Sequence, residues 1–408
     1  MNTMLLSGKR HYFTKASNSF FFIILIVLCI FQNPIEATFD YFSYFDEILA
    51  LFGFFYLILH HKKIKRKTQK VSLMLFFFLL LGLISSIMNP IQPISIIIFD
   101  AFLNIKFFIA IIYGVSLTSH LNSRPIAKTL EIIIVCLAIL TALSYVTNIF
   151  SAGGYRYGIK VLCLFFTHPS SLASACVTML GFLFIFEQRN QKLVLFSILL
   201  VGMMTLTMRT KAIAAAGVFF FFLISQKKGT KNRISLWQII FAVFLVVIIG
   251  WDQFQYYIVQ NDSMARSALL TTSIRIAKDC FPLGAGFGTF GSYFSAVSYS
   301  PLYYKYGISG VYGLSTNYTN FISDSFYQMI LGTTGVLGFT FYVSILFNIL
   351  MIFKKKCGDC RYFYAFLFPF IYLIICSIGE SAFVNSLAIP IAICMGYAYK
   401  LLDRGNYD

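Results

Sequence analysis

Apolar blocks near the length that crosses a bilayer follow one another along this chain, and they decide its solvent. A helix needs roughly 20 apolar residues to cross a hydrocarbon core. The blocks fall at Ser17–Ile35, Phe42–Leu59, Val71–Met88, Ile94–Leu117, Leu130–Phe150, Ser170–Phe186, Leu193–Thr207, Ala212–Ser225, Leu236–Trp251, Ser325–Phe353, Tyr362–Ile378 and Phe383–Leu401. The 59% hydrophobic and 12% charged residues exclude a water-soluble core, since soluble domains hold about 45–50% and about 25%. The expected fold is an all-α polytopic membrane protein of about twelve spans, with residues 1–408 forming one integral membrane domain. The first block follows a basic start, as a signal peptide would. It lacks a convincing small-residue cleavage site and is read as a permanent helix.

The formal charge of +17 is a topology signal. Of the 32 basic residues, 23 lie in alternate polar loops, among them Lys62 to Lys70, Lys227 to Arg233 and Lys354 to Arg361. Cytoplasmic loops carry the Lys/Arg excess, so these loops and both termini are expected inside. The intervening loops hold only 8, namely Arg156, Lys160, Arg209, Lys211, Arg266, Arg275, Lys278 and Lys305, and Lys106 falls within a span. Because position explains the excess, no nucleic-acid partner is expected.

Two features break the pattern. The seventh and eighth blocks are short, and Met208-Arg209-Thr210-Lys211 joins them. That turn is expected in a recess, with Arg209 and Lys211 at head-group depth, or at the tip of a re-entrant hairpin. The connection from 251 to 323, between the ninth and tenth blocks, is the longest in the chain. Long loops of this kind are usually functional. An amphipathic helix is expected over Ser263–Cys280, with Ser263 as its cap. A turn-rich run, Pro282–Gly291, follows, then seven tyrosines including Tyr303 and Tyr304. Tyrosines in an outer loop suit stacking on sugar faces, or form an interfacial aromatic belt.

The candidate chemistry lies outside. Arg156, Arg209, Arg266 and Arg275 stand against the charge rule, and an arginine fork pairs with phosphate or carboxylate; alternatively each snorkels to lipid head groups. Asp324 precedes the tenth span as a general base or as a helix cap, and the cap is the stronger reading of the sequence alone. Glu380 is the other outer carboxylate at a boundary, and His168 the only outer histidine. Asp100 and Lys106 lie within the fourth span, where ionisable groups are functional hypotheses. Their spacing of six sets them on different faces. One histidine and scattered carboxylates make no metal site, and Cys357-Gly358-Asp359-Cys360 is a weak zinc signal. Cys163 and Cys280 are the only cysteines near the outer side, and spacing does not decide whether they pair. The glycines of Pro282–Gly291 resemble a phosphate loop only loosely, and no Walker A or dinucleotide fingerprint is present.

Four features resemble the Wzy-type O-antigen or capsular polysaccharide polymerases of the polymerase and ligase superfamily. They are the polar turn Thr207–Ala212, the long late outer loop, Arg275 and Gly286 separated by ten residues, and Ser323-Asp324-Ser325-Phe326-Tyr327 leading to Gly332–Gly338. The ligases usually carry a histidine-asparagine pair where this chain has Ser323-Asp324, which favours a polymerase. The resemblance implies a bacterial cytoplasmic-membrane glycosyltransferase that needs no metal and no cofactor. Its donor and acceptor would be glycans linked to undecaprenyl pyrophosphate, with a chain-length regulator as a further partner. Arg209 and Arg275, then Arg156 and Lys211, would hold the pyrophosphate. Asp324, or Glu380 in reserve, would be the base. A secondary transporter or flippase of lipid-linked sugars is the rival from another class.

Overall fold

A computed structural model describes residues 17–59, 66–117, 121–147, 149–150, 153–224, 264–355 and 360–404, with Phe241, Phe244, Ile248, Trp251 and Gln255. The ninth expected span falls, but for four of those single positions, outside the described residues, as do Ser263 and Cys357.

Most of the described chain is helical. The helices are α1 (Ser17–Ile30), α2 (Gln32–Glu36), α3 (Phe45–Leu59), α4 (Arg66–Met88), α5 (Ile94–Ser116), α6 (Ser123–Thr147), α7 (Pro169–Phe186), α8 (Asn190–Leu206) and α9 (Thr210–Ile224). Beyond the ninth expected span come α10 (Ala265–Asp279), α11 (Tyr293–Val297), α12 (Leu302–Lys305), α13 (Phe326–Lys355), α14 (Cys360–Cys376) and α15 (Ala388–Arg404). Among the described residues the one sheet is a hairpin of β1 (Tyr155–Arg156) and β2 (Ile159–Lys160). Among the described residues six helices are long and apolar enough to cross a membrane, and five shorter apolar helices join them. The chain is a helical membrane protein. Most boundaries fall within a few residues of the apolar blocks. The last block starts later than expected, at Ala388, because Ala382 and Phe383 belong to the turn that joins α14 to α15.

Helix α7 is the centre of the bundle, buried along nearly its whole length against α6, α8, α14 and α15. Helices α5 and α15 also pack closely. Gly114 and Gly396 make that approach possible, because a Cβ on either would strike the backbone of the other helix. Small residues at such contacts are how membrane helices associate without a hydrophobic drive.

Helix α13 is broken at Gly335, whose φ of 67° and ψ of −167° are non-helical. The break leaves carbonyls without their usual partners four residues on, and Pro282–Gly291 fills in. Ala285 N–H donates to Gly332 O at 2.9 Å, Gly286 N–H to Thr333 O at 2.8 Å, and Leu337 N–H to Pro282 O at 3.3 Å. Helices α4 and α5 hold the other side of the segment. Ser85 Oγ donates to Gly284 O, Phe287 N–H donates to Ser86 Oγ at 2.9 Å, and Gly288 N–H donates to Asp100 Oδ2 at 2.8 Å. The glycine-rich run is therefore a wedge sealed into the bundle. Its resemblance to a phosphate loop ends there, because these amides are already engaged. Asp100 has its partner in this wedge, and Lys106 has its partners in α3. Lys106 Nζ lies 2.5 Å from Asp46 Oδ2 and 2.9 Å from Glu47 Oε1.

Candidate functional site

Six segments bring charged side chains to one place. The first is the hairpin. Tyr157 and Gly158, at its turn, have φ of 52° and 76°, and two positive φ values in a two-residue loop are the type I′ geometry that matches strand twist. Lys160 Nζ donates to Ser144 O at 2.6 Å, and the Tyr145 hydroxyl donates to Lys160 O at 2.8 Å. The hairpin is thus pinned to the end of α6. Arg156 reaches from it to Met208 O at 3.4 Å.

The second segment is the turn between α8 and α9. Both helices stay short, at 17 and 15 residues. Met208 takes a left-handed φ of 49°, a conformation that costs about 1–3 kcal/mol when a non-glycine residue holds it and that clusters at functional sites. Arg209 and Lys211 follow it directly. The third is His168, before α7. Its Nε2 lies 2.6 Å from Arg209 Nη2, and its Nδ1 lies 3.2 Å from Ser170 N–H. A guanidinium only donates, and a neutral imidazole has one acceptor nitrogen. His168 can serve Arg209 or the helix amide, but not both.

The other three segments supply the carboxylates and one more cation. Arg266, in the first turn of α10, donates through Nη2 to Asp324 Oδ2 at 3.1 Å and to Gly379 O at 3.2 Å. Lys211 Nζ lies 2.6 Å from Glu380 Oε2. Ser381 binds Ser323 O through its backbone N–H at 3.2 Å and its hydroxyl at 2.7 Å. That pair of hydrogen bonds joins the α14–α15 turn to the lead into α13, so Asp324 and Glu380 belong to one site. Asp324 lies two residues before the first residue of α13, and its Oδ2 goes to Arg266.

The four side chains of the two ion pairs are between 22% and 30% exposed, so the cluster is half-buried. Burial pushes the Asp324 carboxyl up, an effect that Arg266 opposes. Desolvation first, and Arg209 second, push His168 down to about 4, and the histidine is neutral near pH 7. Arg156, Arg209, Lys211 and Arg266 then face Asp324 and Glu380 with two positive charges in excess. Such a site can grip an anion with guanidinium forks while a carboxylate takes a proton.

Five of the sequence-derived candidates meet here: Arg156, Arg209, Lys211, Asp324 and Glu380. Arg275 does not. It lies nine residues after Arg266 on the same helix, and at 3.6 residues per turn that spacing puts the two arginines on opposite faces. Arg275 is exposed on the far side. Arg266 takes the place in the cluster that sequence reasoning gave to Arg275, and His168 joins it. Tyr303 is buried at the hub of the outer loop, where its hydroxyl accepts from Gly291 N–H at 2.9 Å and bonds Ser295 Oγ at 2.8 Å. It is not presented to a sugar. Tyr304 is exposed, edge-on to Tyr299. Cys163 and Cys280 are free thiols. Among the described residues no group of three or more His, Cys, Asp or Glu side chains stands close enough to hold a metal ion. No model of a known protein family matches the chain, and a search of curated proteins finds no match.

Proposed function

We propose that this chain is an inverting glycosyltransferase that polymerises undecaprenyl-pyrophosphate-linked oligosaccharide repeat units at the outer face of a bacterial cytoplasmic membrane. In this reading twelve spans return the C-terminus to the cytoplasmic side. The observation that carries it is the cluster itself: Arg156, Arg209, Lys211 and Arg266 around two carboxylates at the boundary of an apolar bundle.

The chemistry divides between those two kinds of group. A hydroxyl of the acceptor repeat attacks the anomeric carbon of the donor glycan from the face opposite its pyrophosphate. The new C–O bond forms as the old one breaks, the electron pair leaves on the pyrophosphate, and the hydroxyl proton passes to a carboxylate. Arg209, Lys211, Arg266 and Arg156 meet the charge that develops on the leaving group, as preorganised donors do in acyl and phosphoryl transfer. Asp324 is the proposed base, because burial moves its carboxyl up towards the range useful for proton transfer. Glu380 is the reserve.

The experiment is chain extension by purified protein in vesicles, with synthetic lipid-linked repeat as sole substrate and EDTA present. Longer products on a gel are expected from the wild type and none from Arg209→Ala. A wild type that extends nothing until a nucleotide or ion gradient is supplied overturns the proposal. That outcome would favour the second reading, a transporter or flippase of lipid-linked sugars, which one observation supports. Lys106 is held in the apolar bundle by Asp46 and Glu47, and buried ionised groups of that kind mark ion or proton paths in transporters.

A further inference from the structure

Three aromatic rings stand together on the outer loop, just before Asp324. Tyr312 and Tyr318 stack at 4.8 Å between centroids and 29° between planes. Phe321 meets both of them edge-on, at 5.9 and 6.0 Å. Tyr312 is 70% and Tyr318 36% exposed. The turns beneath the rings are tightly held. Tyr318 N–H donates to Ser315 O at 3.1 Å, and Phe321 N–H donates to Gly313 O at 3.0 Å. Gly313 has a φ of 88°, and a Cβ there would strike the Phe321 ring. The Tyr299 hydroxyl donates to Leu314 O at 2.6 Å, and Leu314 is buried with Tyr303 in the core of the loop. The rings are therefore placed before a ligand arrives, which lowers the ordering cost of binding.

The surroundings narrow the ligand class. Residues 306–323 contain no Lys, Arg, Asp or Glu, so a charged group would find no counter-charge in this stretch. Thr316, Asn317 and Asn320, which flank Tyr318 in the chain, are exposed polar residues. Rings that anchor in lipid head groups sit at the ends of apolar spans, and these sit on turns of the long loop. A sugar suits the combination. Its C–H bonds form an apolar face that lies on the electron-rich face of an aromatic ring, and its hydroxyls bond to amides and hydroxyls at the edge. Tyrosine gives that contact at a small entropic cost, with two χ angles to fix.

The rings are continuous with the charge cluster. Asp324 N–H donates to Phe321 O at 3.2 Å, and such a turn keeps its end residues within about 7 Å, Cα to Cα. A ligand whose pyrophosphate lies on the cluster thus has its sugars beside the rings.

We propose that Tyr312, Tyr318 and Phe321 form a carbohydrate subsite, on which an uncharged sugar ring of the substrate glycan stacks. The assignment rests on the reading of the neighbouring cluster as a site for a lipid-linked glycan, and it gives that glycan a place on the protein. The rings bind the sugar and take no part in the chemical step.

Saturation-transfer NMR tests it, with protein purified in a detergent that has no sugar head. The probe is the free repeat oligosaccharide, without lipid or pyrophosphate. Saturation should reach the sugar C–H protons in the wild type, and Tyr312→Ala with Tyr318→Ala should weaken binding by about fivefold or more. Tyr312→Phe with Tyr318→Phe keeps the ring faces and should bind close to the wild type. Tyr293→Ala removes an exposed tyrosine elsewhere on the loop and should change nothing. In the vesicle assay the double alanine variant should raise KM and leave kcat near the wild type. A wild type that extends lipid-linked repeat but transfers no saturation to the free glycan overturns the subsite alone, and leaves the rings to lipid head groups. Binding that survives in the double alanine variant, or that is lost equally in the double phenylalanine variant, overturns it too. A wild type that binds the glycan through these rings but extends nothing upholds the subsite and overturns the polymerase.

Discussion

The wedge Pro282–Gly291 and the cluster around Arg209 both contain several groups of the kind that bind anions. In the wedge those groups are backbone amides. The amides of Ala285 and Gly286 bond the broken helix α13, that of Phe287 bonds Ser86, and that of Gly288 bonds Asp100. Their geometry is fixed, and displacing any of them would orphan a buried partner at about 1–3 kcal/mol. In the cluster the groups are side chains on turns and helix ends. They are half-buried, and cations outnumber carboxylates. A ligand phosphate can replace Glu380 on Lys211, or Asp324 on Arg266, without leaving a backbone group unsatisfied. On the proposed function, cations brought together from distant segments are a better guide to anion binding here than glycine-rich sequence.

The sharpest way to break that contrast is to compare two arginines of one helix. Arg266→Ala should lower chain extension by about 10²–10³-fold, as loss of a preorganised donor does. Arg275→Ala should leave the rate near wild type. Initial rates from the vesicle assay, with protein amount matched by fluorescence of a fused reporter, decide it. If Arg275→Ala is the more damaging, α10 meets the substrate with its other face and the cluster is not the pyrophosphate site.

The wedge has its own test. A Cβ at Gly284 would sit 2.5 Å from Gly335 N and from the Thr333 carbonyl carbon, both backbone atoms that cannot swing aside. Gly284→Ala should therefore destabilise the protein by about 1–3 kcal/mol or more, the cost of overpacking, seen as a lower melting temperature in detergent. Arg266→Ala should melt close to the wild type. A Gly284→Ala protein that keeps its melting temperature and loses only activity would return the glycine-rich run to the ligand site.

How far the sequence could be read follows from the same contrast. The apolar helices among the described residues were legible because a bilayer demands uninterrupted apolar length, which is a local property. So were the short pair α8 and α9, and the loop helix, read as Ser263–Cys280 and found as Ala265–Asp279. Which of Arg266 and Arg275 joins the cluster was not legible. Periodicity separates the two faces of α10, but only tertiary placement says which of them meets Lys211 and Glu380. Asp100 was equally opaque, since its partner Gly288 lies 188 residues away. Tyr303 has the composition of a sugar platform, and a backbone amide at Gly291 claims its hydroxyl.

The smallest expected effect concerns the histidine between the two halves of the cluster. In the folded protein His168 is pushed down from its ordinary 6.5 to about 4, by desolvation and then by Arg209. Between those values the unfolded chain binds more protons than the folded one, so stability falls as pH falls. Above pH 6.5 the contribution is complete, and it is lost as pH drops through about 4. Protonation also removes the acceptor that Arg209 uses and sets a further cation beside it. The melting temperature should therefore decline across this window in the wild type and decline less in His168→Gln, which keeps an acceptor and cannot titrate. The ring is exposed, and solvent screening keeps the difference modest. Because Asp324 and Glu380 are carboxylates in the same cluster, the comparison is read between the two proteins at each pH. Parallel melting curves would mean that Arg209 is held by its other neighbours, and that His168 serves α7 alone.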